Sequence, residues 1–274
     1  MTGVSHTTVR AACAATEADA LALAERPEAL GPEAPVPAAT RPGISVLIPA
    51  YQAGAYVAEA LESVFAQTVP AAEIIVVDDG NEDDTAEHAW RALEAHADAP
   101  CRAALVLRPH LGQAASRNAA LACASCEWVF YLDADDVLEP DALEQLLTAA
   151  EAHPEAGMVC ALARDFVSPE LTAQEAAALR TNPEPYRRML SGCTMARREV
   201  YERVGYYDET LPSSETAQWM LRMRDAGVAV HDIDVVTLNR RYHRNNFGRR
   251  SRRTQLESYM AIIKQRRAQQ HGAH

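Results

Sequence analysis

The chain has 274 residues, of which 48% are hydrophobic and 23% charged, and its formal net charge is −12. These values are ordinary for a soluble globular protein with one large domain and a sizeable core. No apolar run approaches the roughly 20 residues that span a bilayer, and residues 1–30 lack the basic start and apolar core of a signal peptide. We therefore expect a cytoplasmic protein.

The charge is unevenly spread along the chain. From Arg240 to the end there are ten basic residues and one acid, so this part carries +9 and the rest −21. A basic end of this kind suits docking onto the acidic body or onto an anionic partner such as a membrane surface. The composition disfavours nucleic acid as the partner, because the acidic body would repel it and no aromatic platform accompanies the arginines.

Composition divides the chain into three parts. Residues 1–42 are rich in Ala, Glu and Pro, which predicts a short helix over 16–24 and then a flexible linker. The main domain is predicted over 43–245, and 246–274 form a basic end with a helix over 252–269. The six cysteines, including the Cys123-x-x-Cys126 pair, are expected to be free thiols without a metal.

Three apolar runs of the main domain stop at polar, turn-forming residues. Ile44–Ile48 stops at Pro49, Glu73–Val77 stops at Asp78, and Trp128–Leu132 stops at Asp133. Apolar residues recur at helical spacing over 56–65 and 86–93, between the first two runs and after the second. This alternation predicts an α/β fold with a mostly parallel central sheet flanked by helices, in which ligands collect at the carboxyl ends of the strands.

Asp133 and Asp135 would both project into that crevice. Carboxylates in this position suit a hard divalent cation shared with a phosphate. The alternative is that the acids cap a helix that opens at Pro140 and runs to residue 152.

The second half is predicted to contain strands over 157–162 and 192–196 and helices over 198–204 and 214–226. Trp219, Met220 and Met223 share one face of the last helix. Residues 169–185 are expected to line or cover the acceptor side.

Four segments in order carry a resemblance to a known family: ISVLIPAYQAGAYVAEALESVFAQT, EIIVVDDGNEDDT, LGQAASRNAAL and WVFYLDADDVLEPDAL. They resemble the nucleotide-diphospho-sugar transferases of glycosyltransferase family 2, which have the A-type glycosyltransferase fold. The resemblance covers residues 44–147 and continues more weakly to about residue 245.

The resemblance implies a nucleotide-sugar donor and a divalent metal, Mg²⁺ or Mn²⁺. The implied donor-binding residues are Pro49, Ala50, Tyr51, Asp78, Asp79, Arg117, Asn118, Asp133 and Ala134, and the implied metal ligands are Asp135, Asp133 and His243.

Each of these roles has a structural alternative. Tyr51 either stacks on the base or packs on the following helix, and either Asp78 or Asp79 accepts from uracil or caps a turn. Arg117 either faces the nucleotide or lies exposed on a helix, and His243 is either a ligand or an ordinary histidine.

The general base is where the chain departs from the family. Relatives carry Glu-Asp at the start of the late helix, whereas this chain has Glu215-Thr216, and threonine is no base near neutral pH. Glu215 is therefore the candidate base, although a Glu in a first helical turn also favours the helix dipole. Otherwise the acceptor is a thiol that needs little deprotonation, or catalysis is weak.

We expect an inverting glycosyltransferase that uses a UDP-sugar and an acceptor that the sequence does not identify. The rival is a nucleotide-sugar-binding protein without catalysis. A nucleotidyltransferase would need a basic, glycine-rich phosphate loop after the first strand, and residues 49–54 contain no Lys or Arg.

Overall fold

The computed structural model describes residues 8–11, 41–187, 191–211, 213–244 and 260. The strands in these residues are β1 (Thr8–Ala11), β2 (Arg41–Ala50), β3 (Glu73–Asp79), β4 (Arg102–Arg108), β5 (Cys126–Tyr131), β6 (Val137–Leu138), β7 (Met158–Val167), β8 (Thr194–Arg197) and β9 (Val230–Tyr242). The helices are α1 (Val57–Phe65), α2 (Thr85–Ala95), α3 (Gln113–Cys123), α4 (Ala142–Ala152), α5 (Ala173–Ala177), α6 (Arg198–Val204) and α7 (Glu215–Asp225).

The strands form one sheet in the order β1-β4-β3-β2-β5-β8-β7-β9-β6. The central strands β4, β3, β2 and β5 are parallel to one another. Antiparallel pairs join β5 to β8 and β8 to β7, and β7 runs parallel to β9. The predicted α/β fold with a parallel centre is confirmed, and the sheet as a whole is mixed.

Alternate residues of the central strands face opposite layers of helices, as the two-residue period of a strand requires. On β2, Val46 and Ile48 pack in the core under α1, α2 and α4, whereas Leu47 packs in the core under α3, α6 and α7. Because both faces are covered, the central parallel strands are mostly apolar, and apart from Ser45 of β2 their polar residues lie near the ends.

Most predicted elements of the main domain are present within a few residues of their expected bounds. The strand expected over 157–162 is longer, because β7 pairs with β9 as far as Val167. The segment expected to be a strand from Gly192 begins as a short 3₁₀ turn, Ser191–Cys193, before β8.

Among the strands that were not predicted from the sequence, β4 and β9 are the longest. β4 (RAALVLR) is short, rich in Ala and Leu and flanked by arginines, so its sequence does not favour a strand over a helix. In β9 most side chains are partly exposed, which hides the apolar signal of a strand. Both are strands because a neighbouring strand supplies their backbone hydrogen bonds.

Two parts of the segment 1–42 are described, and both belong to the sheet. Thr8–Ala11 forms β1, antiparallel to the edge of β4, and β2 already begins at Arg41. Backbone pairing along an open sheet edge gives the β1 segment a structure that its composition does not predict. The helices predicted over 16–24 and 252–269 lie outside the described residues, apart from Met260.

No helix among the described residues is both long and apolar enough to cross a bilayer. Cys101, Cys123, Cys126, Cys160 and Cys193 are free thiols and are buried, as predicted for the Cys123-x-x-Cys126 pair. Burial raises the pKa of the Cys126 thiol to about 12, and the nearby Glu73 carboxylate adds to this effect.

Candidate active site

The turn after β5 directs its two acids to different partners. An Asp135 carboxylate oxygen lies 2.9 Å from Nε2 of His243, whereas an Asp133 oxygen accepts a 2.9 Å hydrogen bond from Arg117. The predicted metal ligands Asp135 and His243 are therefore brought together, although 108 residues separate them. Asp133 stands beside them but is oriented towards Arg117. The alternative in which these acids cap the helix after Pro140 is wrong, because the N-cap position of α4 is Asp141.

The Asp135–His243 pair has the chemistry of a partial metal site. Two neighbouring ligands of one octahedral ion, each about 2.1 Å from it, lie about 3 Å apart, which is close to the observed spacing of the two atoms. Among the described residues, however, no group of three or more His, Cys, Asp or Glu side chains converges on one point. The residues present fit a cation whose remaining ligands come from water or from a phosphate.

His243 is buried and held on a second side by an aromatic ring. The Tyr56 ring lies 4.4 Å from the His243 ring, tilted by 50°. The Tyr56 hydroxyl donates a 2.8 Å hydrogen bond to Glu170. Burial, and then this carboxylate, raise the pKa of Tyr56 to about 12, so Tyr56 stays a neutral donor. Glu170, which belongs to the segment 169–185 that is expected to line or cover the acceptor side, is thereby connected to His243 through Tyr56.

Arg241 fixes the turn that carries Asp135. The sequence indicated only the basic charge of Arg241 and not this role. Its backbone N–H donates to Asp136 at 2.8 Å, and its Nε donates to the backbone oxygen of Asp135 at 2.8 Å. Its Nη2 lies 2.6 Å from Glu59 on α1. Burial raises the pKa of Asp136 well above its usual value, and the charges of Asp135 and Asp133 act in the same direction. Arg241 thus joins β9, α1 and the acidic turn.

Another arginine of the basic end, Arg244, also docks on the acidic body. Its guanidinium makes a forked pair with Glu175 of α5, at 2.7 and 3.0 Å. The hydrogen bonds from Arg244 and Thr172 lower the pKa of Glu175 to about 2. Among the described residues, Arg241 and Arg244 of the basic end thus form ion pairs with acids of the main domain. Docking onto the acidic body was one of the two alternatives predicted for this end.

Arg117 of α3 is buried at the centre of the site, so the alternative of an exposed helical arginine is wrong. It donates to Asp133, to Glu215 at 3.1 Å and to the Thr216 hydroxyl. Burial alone lowers the pKa of Arg117, but the charges of Asp133 and Glu215 outweigh burial and raise it. The arrangement links the acidic turn after β5 to the first turn of α7.

Glu215, the predicted base, is only 4% exposed and lies in this ion pair. Its neighbour Thr216 occupies the position where relatives carry Asp, and the Thr216 side chain also faces Arg117.

Asn118, predicted to bind the donor, is engaged with the chain itself. Its amide nitrogen donates to the Tyr207 backbone oxygen at 3.0 Å and to Glu209 at 2.7 Å, and its oxygen accepts from the Tyr207 N–H at 2.9 Å. Asn118 is buried, and these bonds use most of its capacity. In the structure it holds the loop before α7, and its contact with a nucleotide stays a prediction.

The ends of β2 and β3 are joined by Asn81. Its amide nitrogen donates to Asp78 at 2.6 Å and to the Ala50 backbone oxygen at 2.9 Å, and its oxygen accepts from the Gln52 N–H at 2.6 Å. Burial raises the pKa of Asp78, although the Asn81 hydrogen bonds oppose this effect. Asn81 thus connects the turn after β3 to the neighbouring end of β2.

Asp79 holds the loop that leads into α3. Its oxygens accept from the N–H groups of Leu111 and Gly112, both at 3.0 Å, and one lies 2.7 Å from Nδ1 of His110. Asp79 therefore has a structural role, which leaves Asp78 as the acid closer to the Tyr51 loop.

Tyr51 is exposed at the end of β2, so the alternative in which it packs on α1 is wrong. Its ring stacks instead on the His110 ring, with centroids 4.2 Å apart and an angle of 22° between the planes. Pro49 is partly exposed in the same strand end, whereas Ala50 and Ala134 are buried. The ends of β2 and β3 thus present one acid, Asp78, and one aromatic pair, Tyr51 and His110.

Comparison with known proteins agrees with this geometry. The family model described as glycosyl transferase family 2 matches residues 45–205, which is more than half of the chain. The chain belongs to glycosyl transferase family 2.

Members of this family with similar sequences are longer proteins. An uncharacterized glycosyltransferase of Nostoc sp. is 34% identical over 116 residues, which are 42% of this chain and 35% of that protein. Chondroitin synthase of Pasteurella multocida is 25% identical over 235 residues, which are 82% of this chain and 23% of that protein. The chain thus spans about a third or less of these two curated relatives.

Solved structures confirm the A-type glycosyltransferase fold. The mannosyltransferase PcManGT of Pyrobaculum calidifontis, in complex with GDP-Man and Mn²⁺, superposes with a TM-score of 0.62 at 20% identity and covers 89% of this chain and 68% of that one. S. aureus TarS 1-349 in complex with UDP gives a TM-score of 0.57 at 21% identity, covering 73% of this chain and 60% of that one.

Proposed function

We propose that this family 2 chain is an inverting, metal-dependent glycosyltransferase that takes its sugar from a UDP-activated donor. The observation that carries the proposal is the pairing of Asp135 with His243 at 2.9 Å, beside the ends of β2 and β3. Because β2 runs parallel to β3 and β5, the turn that carries Asp135 lies at the same edge of the sheet as the exposed Tyr51 ring and the buried Asp78, which supports the proposal. A nucleotide-sugar requires both: a site for its diphosphate and a site for its base.

The ligands of the structural neighbours support the donor class. PcManGT was crystallised with GDP-Man and Mn²⁺, and TarS was crystallised with UDP and with UDP-GlcNAc. The choice of UDP for this chain rests on Tyr51, which can stack on a base, and on Asp78, whose carboxylate can accept from the imide N–H of uracil.

In the proposed reaction an acceptor oxygen bonds to the anomeric carbon as the bond from that carbon to the diphosphate breaks. Asp135 and His243 would hold Mg²⁺ or Mn²⁺, with Asp133 beside them facing the ribose or the ion. When bound, the cation offsets the negative charge that develops on the leaving diphosphate. Arg241 keeps the Asp135 turn in place through the contacts described above.

Glu215 is the proposed base, and it would take the proton that the acceptor loses. Its ion pair with Arg117 would have to open for this step, since catalytic hydrogen bonds often form fully only with substrate bound.

The second candidate is a nucleotide-sugar-binding protein of the same fold without catalysis. It is favoured by the burial of Glu215 and by Thr216, which fills the position of the family's Asp.

One assay distinguishes these functions. The protein is incubated with UDP-sugars and with GDP-Man, in Mn²⁺, in Mg²⁺ or in excess chelator, and the released nucleotides are measured by mass spectrometry. The proposal expects release of UDP that chelator abolishes. Binding without release would favour the binding protein, and release of pyrophosphate would indicate a nucleotidyltransferase.

A further inference from the structure

At the proposed base-binding end, the exposed ring of Tyr51 stacks on the ring of His110. Tyr51 was predicted to bind the base, whereas His110 was not. The two rings lie 4.2 Å apart and nearly parallel. Tyr51 is 48% exposed, and the His110 side chain is 51% exposed. The exposed Tyr51 ring can therefore swing away from the His110 ring without disturbing the core.

The two rings come from strands on opposite sides of β3. Tyr51 follows β2 and His110 follows β4, and both strands pair with β3. Because neighbouring strands are about 4.8 Å apart, the ends of β2 and β4 are separated by roughly 10 Å. Two rings with a flat base between them need about 7 Å between their planes, at about 3.5 Å for each contact. The backbone positions thus leave room for a base between the two rings. Without a base, the two side chains lean together and fill this space.

The backbones that carry these rings are fixed. His110 lies directly above Gly80, where an added Cβ would come within 2.4 Å of the His110 backbone nitrogen. Asp79 holds the next two N–H groups of that loop. On the other side, the Gln52 N–H is bound by Asn81. The His110 ring is itself anchored, because its Nδ1 lies 2.7 Å from an Asp79 carboxylate oxygen, so the stack opens by rotation of the Tyr51 side chain.

We infer that Tyr51 and His110 form a clamp that opens to take the donor's base between their two rings. The floor of the clamp is the end of β3, where Asp78 can meet the edge of the base. Stacking accepts any base, because every base has a π-face, so the clamp supplies affinity and Asp78 supplies selectivity. This inference rests on the proposed function and adds to it a second base-binding residue, His110.

The test is calorimetry of UDP and of GDP, in Mn²⁺, with the full chain. His110→Ala should raise the Kd of both nucleotides about 5- to 100-fold, the effect of losing one base–aromatic stack. His110→Phe, which keeps a flat ring, should bind close to wild type. His96→Ala is the matched control, because His96 also stacks on a ring, Phe65, at 4.0 Å, but lies away from the site. It should leave both affinities unchanged.

Proton NMR supplies a readout that a merely structural role would not change. On addition of UDP the ring signals of His110, assigned by their absence in His110→Ala, should shift upfield under the ring current of the base. The clamp is overturned if His110→Ala binds within twofold of wild type, if it binds more tightly, or if the His110 signals do not shift on binding. Failure of the wild-type chain to bind either nucleotide would instead overturn the proposed function.

Discussion

Replacing Glu215 by Gln separates the structural role of this carboxylate from its proposed role as the base. Glu215 is 4% exposed and lies 3.1 Å from Arg117. Breaking a buried ion pair costs about 3–5 kcal/mol when the remaining charge is left without a partner. Here Arg117 keeps Asp133 at 2.9 Å, and the amide oxygen of the variant can still accept. We therefore expect Glu215→Gln to lower the free energy of unfolding by about 1.5–3 kcal/mol, which is the contribution of a hydrogen bond to a charged group.

Calorimetric unfolding measures this cost. In a domain of this size 1 kcal/mol shifts the midpoint by roughly 2–4 °C, so Glu215→Gln should lower Tm by about 3–12 °C. The matched control is Glu87→Gln, which breaks the ion pair with Arg91 whose side chains are 57% and 67% exposed. An exposed pair of this kind contributes about 0.5 kcal/mol or less, so Tm should fall by no more than about 2 °C. Equal Tm values for the two variants would refute the reasoning about the buried pair.

The same variant is then assayed below its unfolding temperature. Loss of a general base should lower kcat about 100- to 10,000-fold with donor affinity nearly preserved. A variant that is destabilised but fully active would show that Glu215 only holds Arg117, and the base would lie elsewhere or the acceptor would be a thiol.

Three further variants test the site and the core. Asp135→Asn should abolish transfer and weaken Mn²⁺ binding in calorimetry while leaving Tm near that of wild type, because the side chain is partly exposed and is proposed to bind the cation. Thr216→Asp restores the family's acid beside Arg117 and should leave kcat unchanged or raise it. Glu73→Gln should make stability less dependent on pH, as measured by denaturant unfolding from about pH 6 to about pH 3. Burial raises the pKa of Glu73, but the charge of Arg102 at 2.6 Å and the serine hydrogen bonds outweigh burial and hold it below 4.5. This stabilisation is present above the unfolded pKa and is lost as the pH falls through the folded pKa, so wild type should lose more stability than the variant.

Each of these variants has an outcome that would contradict it. Wild-type turnover of Asp135→Asn, or full activity of the wild-type chain in excess chelator, would contradict the metal role. The control variant is Asp98→Asn, which changes an exposed aspartate. A large loss of activity in Thr216→Asp would mean that an acid there disturbs Arg117. A stability profile of Glu73→Gln that falls with pH in parallel with that of wild type would contradict the prediction for Glu73.

Regular apolar patterns made the central part of the fold predictable. The runs that become β2, β3 and β5 are long enough to form buried strands, and the polar residues that end them are visible in the sequence. The partners of Asp135 and Asp133 were harder to predict. Both acids stand in the same turn, yet one faces His243 and the other faces Arg117, and nothing local distinguishes them.

The sequence by itself determined the α/β class, the strand ends where the site lies, and the acids, aromatic ring and histidine that could serve a nucleotide-sugar. Only the tertiary structure decided that Asn118 holds the loop before α7, that Arg241 fixes the acidic turn, and that His110 reaches Tyr51. The reason is physical: local propensities depend on neighbours along the chain, whereas these contacts join residues that are distant in sequence. The pairing of β6 with β9 brings Arg241 to the acidic turn, and the pairing of β3 with β2 and β4 brings His110 to Tyr51. The packing of α3 in one core with Tyr207 brings Asn118 to the loop before α7.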